Sequence, residues 1–207
     1  MMHRQNVFVL ALLAIVSTAV ITVGYSTGRG PLGVLSAGIA RLTKSNHGGD
    51  QLVPADRLGS SDSPLTAPEF APGDWINSEP LTIKSLHGRV VLVEFWTFGC
   101  YNCRNTLPSI KDWDARYRDQ GLTIVGVHSP EFAEEKKLEN LRREVASLGI
   151  HYPVVTDNDY ATWKAYDVEA WPTVVVLDKL GRVRWTHVGE GAYDETEQAI
   201  QKLLSEP

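Results

Sequence analysis

Cys100 and Cys103 are the only cysteines in the chain, and they stand three residues apart in the stretch EFWTFGCYNCRNTLP. Thiols at that spacing can close a small disulfide staple, supply half of a metal site, or work as a redox pair. A staple across so short a loop gains only about 2 kcal/mol by chain entropy, little for a domain with several buried strands. A zinc site needs about four ligands, and the six histidines are scattered singly along the chain. The redox reading has a mechanism. Cys100 directly follows an apolar, β-branched run and precedes a helical pattern, so it lies at a helix N-terminus. Free N–H groups and the helix dipole there favour a thiolate. Cys103 follows one turn later, close enough to attack a mixed disulfide formed by Cys100.

The elements that must hold this pair can be read outward from it. Residues 89–96, RVVLVEFW, suit a strand buried on both faces. Residues 103–118 carry a helical pattern, and residues 122–128, LTIVGVH, read as a second buried strand. Residues 134–148 form a charged amphipathic helix with Leu138, Leu141, Val145 and Leu148 on one face. A short strand at 154–156, a short helix at 160–166 and a strand at 173–177 follow. Residues 178–181 make a hairpin turn into a strand at 183–188, and a helix at 194–204, capped by Asp194, closes the chain. Two short β candidates, 75–76 and 81–83, come first. The order implies an α/β domain, a mixed sheet covered by helices with right-handed crossovers in its parallel part.

The N-terminal part differs in character. Residues 7–25 are uncharged and match the roughly 20 residues that cross a bilayer core. The run is longer than a usual cleaved h-region and ends in a poor small-x-small match. The expectation is a membrane anchor within residues 1–28, with a cleaved signal and a buried helix as the other readings. Arg4 favours a cytoplasmic N-terminus, against Arg29 and Arg41 on the other side. Residues 29–67, with an apolar 30–42 and a Ser, Gly, Asp and Pro-rich remainder, read as a flexible linker. The domain is then 68–207. A net charge of −5 and a pI near 5.7 give no basic patch for nucleic acid. A hydrophobic fraction of 43% is enough for an ordinary core.

The sequence resembles thioredoxin-fold proteins, in particular the membrane-anchored TlpA/ResA-like thiol–disulfide oxidoreductases, and most narrowly the thioredoxin-like domain of the DipZ-type group. The resemblance runs from about Pro68 to the C-terminus. It rests on Glu94 six residues before Cys100, the pair Phe95 and Trp96, Pro108 eight residues after Cys100, and Trp171-Pro172-Thr173 before a strand. It also rests on the Gly181 turn, a central insert at 134–156, and the strings VHSPEF at 127–132 and YDETEQAI at 193–200. Gly99 departs from thioredoxin, which has tryptophan there. Tyr101-Asn102 is neither Gly-Pro nor Pro-His, and that dipeptide tunes redox poise.

The resemblance implies a thioredoxin-like sheet flanked by helices with a TlpA-like insert, and catalysis by Cys100, Cys103 and Glu94. Glu94 would take the Cys103 proton, its own proton affinity raised by burial; otherwise it is an acid paired with lysine or another partner inside the sheet. Pro172 would be cis. With Trp171, Thr173, Trp96 and Phe98 it would form the substrate surface, where an extended segment pairs with free backbone groups. His128 is more ordinarily structural. The implied partners are protein or peptide disulfides outside the cytoplasm and a donor of electrons such as a membrane carrier, with no bound cofactor. Two rivals stay open. One is a thiol peroxidase, for which Thr97 and Cys100 give a T-x-x-C without the proline expected at Val93. The other is a non-catalytic tethered interaction module.

Overall fold

The computed structural model describes residues 65–207. The anchor and all but the last three residues of the expected linker lie outside them. Among the described residues no helix is long and apolar enough to cross a membrane.

Six strands form one sheet in the order β1-β4-β3-β2-β5-β6. They are β1 (Trp75–Ile76), β2 (Val90–Trp96), β3 (Leu122–His128), β4 (Val154–Thr156), β5 (Thr173–Leu177) and β6 (Val183–Val188). β2 is central and every residue in it is buried, which is why its sequence is continuously apolar rather than alternating. It runs parallel to β3 and antiparallel to β5. β3 and β4 are parallel, while β1 and β6 close the two edges antiparallel.

Alternate residues of β2 serve opposite cores. Val90, Leu92 and Trp96 pack with Cys103, Leu107 and Ile110 of α1 (Tyr101–Tyr117), with Leu141 and Val145 of α2 (Leu138–Ser147), and with Ile200 and Leu203 of α4 (Tyr193–Ser205). Val91, Val93 and Phe95 face the other way, toward Ile83, Leu86 and Val168, with Trp163 of α3 (Ala161–Ala165) at the margin. Before β1, Thr66 pairs with Arg182 and Ala67 N donates to Gly181 O at 2.8 Å. This fastens the first described residues to the β5–β6 turn.

Three expectations need correction. Residues 81–83 do not form a strand, because the Glu69 carboxylate accepts from Ile83 N and Lys84 N and turns the chain into a 3-10 helix at Lys84–Leu86. The helix expected at 134–148 is interrupted at Lys137, which is extended, leaving a 3-10 turn at Ala133–Lys136 and then α2. Asp194 does not cap α4. Ala192, at φ 46°, holds that position, and Asp194 lies in the first turn, where its charge suits the dipole.

Candidate active site

β2 ends at Trp96, and Thr97, Phe98 and Gly99 carry the chain to α1. Cys100 is the residue just before the helix, in the extended conformation and place where a Ser or Asp would cap it. Its Sγ accepts the Cys103 N–H at 3.2 Å, a bond that strengthens as the sulfur gains negative charge. Cys100 is half-buried and Cys103 fully buried, and both are free thiols. One sulfur is therefore open to attack a partner, and the other waits beneath it. Pro108 sits inside α1.

Glu94 lies two residues before Trp96 on the same face of β2 and is fully buried. Its Oε2 accepts the Tyr152 hydroxyl at 2.9 Å, and its Oε1 has no hydrogen-bond partner. Burial pushes the acid up to about 7, against the pull of the Tyr152 bond. Cys103 is pushed far above the usual thiol range, first by burial, then by the Cys100 sulfur, with the Glu94 charge adding to the effect. Two anions are thus disfavoured side by side. The pair can hold one negative charge, and moving the Cys103 proton to Glu94 keeps it at one.

Pro172 follows a cis peptide bond from Trp171. Pairing of Thr173 with Phe95 brings this loop to the end of β2 that carries the cysteines. Trp171 is half-buried, donates from Nε1 to Ser129 O at 3.0 Å, and packs on Trp163 at 4.5 Å between ring centroids. Phe98 and Trp171 border the same core as Cys100. Two residues of the expected substrate surface turn their side chains inward. Trp96 is fully buried, and the Thr173 hydroxyl turns inward to Ala170 O at 2.8 Å. Any part they take in docking is through the backbone or as support. Tyr101 and Phe132 are exposed.

Thr97 is buried, with its hydroxyl 3.3 Å from His128 Nε2. That hydroxyl is thus engaged inside the protein by His128. His128 stacks on Phe98, and burial holds it down to about 4, so it is neutral near pH 7 and serves as packing. Among the described residues no group of three or more His, Cys, Asp or Glu could hold a metal ion.

Sequence reasoning missed Glu135. Its carboxylate is buried and accepts from Gly99 N at 2.8 Å, Glu131 N at 2.6 Å and Phe132 N at 2.9 Å. It ties the residue beside Cys100 to the central insert. The one available signal was Gly99 itself. A Cβ there would stand 2.3 Å from Glu135 Oε1, so any side chain at 99 must displace that carboxylate from its N–H partners. Gly99→Ala is expected to lower unfolding stability by about 1–3 kcal/mol, the range for overpacking, as read by urea denaturation. An unchanged midpoint would show that Glu135 moves aside freely.

Comparison with known proteins agrees with this geometry. Residues 88–183 match a family described as thioredoxin-like. The chain is 38% identical over 178 residues to Protein DipZ of Mycobacterium tuberculosis, covering 84% of this chain and 24% of that protein. It therefore spans about a quarter of that relative's length. It is 26% identical over 132 residues to the thiol-disulfide oxidoreductase YkuV of Bacillus subtilis, covering 64% of this chain and 88% of that one. A crystal structure of a thiol-disulfide isomerase from Corynebacterium glutamicum superposes with a TM-score of 0.62 at 27% identity, over 68% of this chain and 98% of that one.

Proposed function

The chain carries a thioredoxin-like domain related to the TlpA-like oxidoreductases, and we propose that it exchanges disulfides with protein or peptide substrates, working as a reductase outside the cytoplasm. The observation that carries the chemistry is the half-buried Cys100 sulfur at the start of α1, accepting the N–H of a buried Cys103. The apolar residues 7–25 support a tether to a membrane.

In the reducing direction the Cys100 thiolate attacks one sulfur of a substrate disulfide. A Cys100–substrate bond forms, and the substrate's other sulfur leaves and takes a proton. Glu94, as carboxylate, then accepts the proton of Cys103. The Cys103 thiolate attacks Cys100 Sγ, and the second substrate sulfur leaves as a thiol. The substrate has gained two electrons and Cys100–Cys103 is oxidised. An external dithiol, such as a membrane electron carrier, restores the pair. Nothing in these steps calls for a bound cofactor.

Trapping in cells tests the reading. The full-length Cys103→Ser chain is expected to accumulate mixed disulfides that dithiothreitol releases. They are expected in the membrane fraction after an alkaline wash, joined to extracytoplasmic proteins. If no adduct forms, the chemistry fails. Adducts confined to soluble cytoplasmic proteins would overturn the location.

A further inference from the structure

Glu94 is a buried acid without a lysine beside it, and the group that replaces the lysine can be identified. In the sheet, Glu94 lies opposite Gly126 of β3 and Val174 of β5. A Cβ on Gly126 would approach Trp96 Nε1 to 2.8 Å and Tyr152 Cε2 to 3.3 Å. The space left by that missing side chain is taken by the Trp96 indole and the Tyr152 ring. The ring is thereby laid across β3 with its hydroxyl 2.9 Å from Glu94 Oε2. Tyr152 is only 2% exposed.

We propose that Tyr152 is the positioning residue for the acid: its hydroxyl, held over Gly126, sets the proton affinity of Glu94 and thereby the pH range of the resolving step. The proposal rests on the reading of Glu94 as the acceptor of the Cys103 proton.

The physical argument is one of donors. A phenol that donates to a carboxylate favours the ionised acid, while burial opposes it. Burial and the nearby Glu94 charge hold the Tyr152 proton well above its ordinary value, so the phenol stays a donor. The other groups around the acid do not supply this. α1 brings Cys103 and, acting on Tyr152, Asp114, which is paired with Arg118. Neither Cys103 nor Asp114 donates a hydrogen bond to Glu94. β3 brings Gly126 and, beyond Trp96, a neutral His128. β5 brings Val174, and α4 brings Thr196, Ile200 and Leu203, none of them charged. Among the described residues Tyr152 is the group that hydrogen-bonds the acid, while the Trp96 Nε1–H has no partner.

The location of Tyr152 makes the test clean. The residue lines a cavity of about 230 Å³ with Arg89, Asp114, Arg118, Thr123 and His151. Those residues gather near the first residues of β2 and β3, the end of the sheet away from Cys100. A change there does not touch the surface that meets a substrate.

The experiment follows the carboxyl C=O band of the reduced full chain by infrared difference spectroscopy from about pH 5 to 9, a window around the acid's value near 7. Glu94→Gln assigns the band, and mixed-disulfide decay is followed in parallel. Tyr152→Phe keeps the ring and is expected to move the carboxyl midpoint upward. Decay at pH 6 to 7 is expected to slow about tenfold to a hundredfold, the range of a hydrogen bond to a charged group, with rates converging as the acid ionises. Site-specific 3-fluorotyrosine at 152, a stronger donor of nearly the same shape, is expected to move the midpoint downward and covers the case in which Tyr152→Phe does not fold. An unmoved midpoint in either variant, or an equal loss of rate at every pH, overturns the proposal. The infrared titration needs no substrate. Failure of the wild type to reduce any disulfide would instead sink the oxidoreductase reading and leave the titration result intact.

Discussion

Cys100→Ser is expected to abolish reduction of a protein disulfide, with the unfolding midpoint staying within about 2 °C of the reduced wild type. Loss of activity follows because Cys100 alone presents a sulfur to a partner, while Cys103 is fully buried. Survival of the fold follows from the same geometry. The Cys100 sulfur works structurally as a helix cap for the Cys103 N–H, and a serine hydroxyl is among the better caps. Insulin turbidity and thermal unfolding on the same preparation check both halves. Residual activity would move the chemistry elsewhere. A collapsed fold would mean that the sulfur was a structural necessity rather than a reactant, and would favour a scaffolding role for the domain.

Glu94→Gln is expected to slow resolution of the mixed disulfide about a hundredfold at pH 6, the lower end for general acid–base help. The sign of the pH dependence follows from the acid's value near 7. Below it the wild-type rate climbs with the fraction of carboxylate, and above it the rate levels. The glutamine chain has only direct ionisation of Cys103, which burial holds far above the usual range, so its rate keeps rising. The gap is widest below about pH 7 and narrows above it. Equal decay at pH 6 would remove Glu94 from the mechanism. Stability carries a matching signature. An acid raised from 4.5 to about 7 by folding imposes no penalty below 4.5. The penalty grows as pH rises between the two values and reaches about 3 kcal/mol above them. The stability difference between glutamine and wild-type chains is expected to shift by that amount, in favour of glutamine, between pH 4.5 and 8.

Strands β2 to β5 were legible because each is an apolar, β-branched run bounded by turn residues, and burial on both faces demands that composition. The cysteine pair was legible for a related reason, since a buried strand running straight into a helix fixes where a helix terminus must be. Polar residues turned inward were not legible. Glu135 reads as one more charge on an amphipathic helix, yet its carboxylate serves three backbone N–H groups and the helix breaks beside it. Periodicity registers apolar burial and is blind to an acid buried for its hydrogen bonds. The partner of Glu94 was hidden by distance. A lysine inside the sheet was the ordinary alternative, and the donor is Tyr152, 58 residues further along the chain. It is admitted by a glycine, Gly126, whose role shows only once β3 lies beside β2.

The pairing of residues 65–67 with the β5–β6 turn has a consequence for how the domain is presented. β5 is antiparallel to β2, so its turn lies at the pole where β2 begins, while Cys100 lies at the pole where β2 ends. A seven-residue strand separates the poles by about 23 Å. Residue 65, the first of the described residues, therefore stands at the pole opposite the cysteines. Residues 65–67 take no part in the surface around Cys100, and that surface is built by the loops at the far ends of β2, β3 and the start of β5.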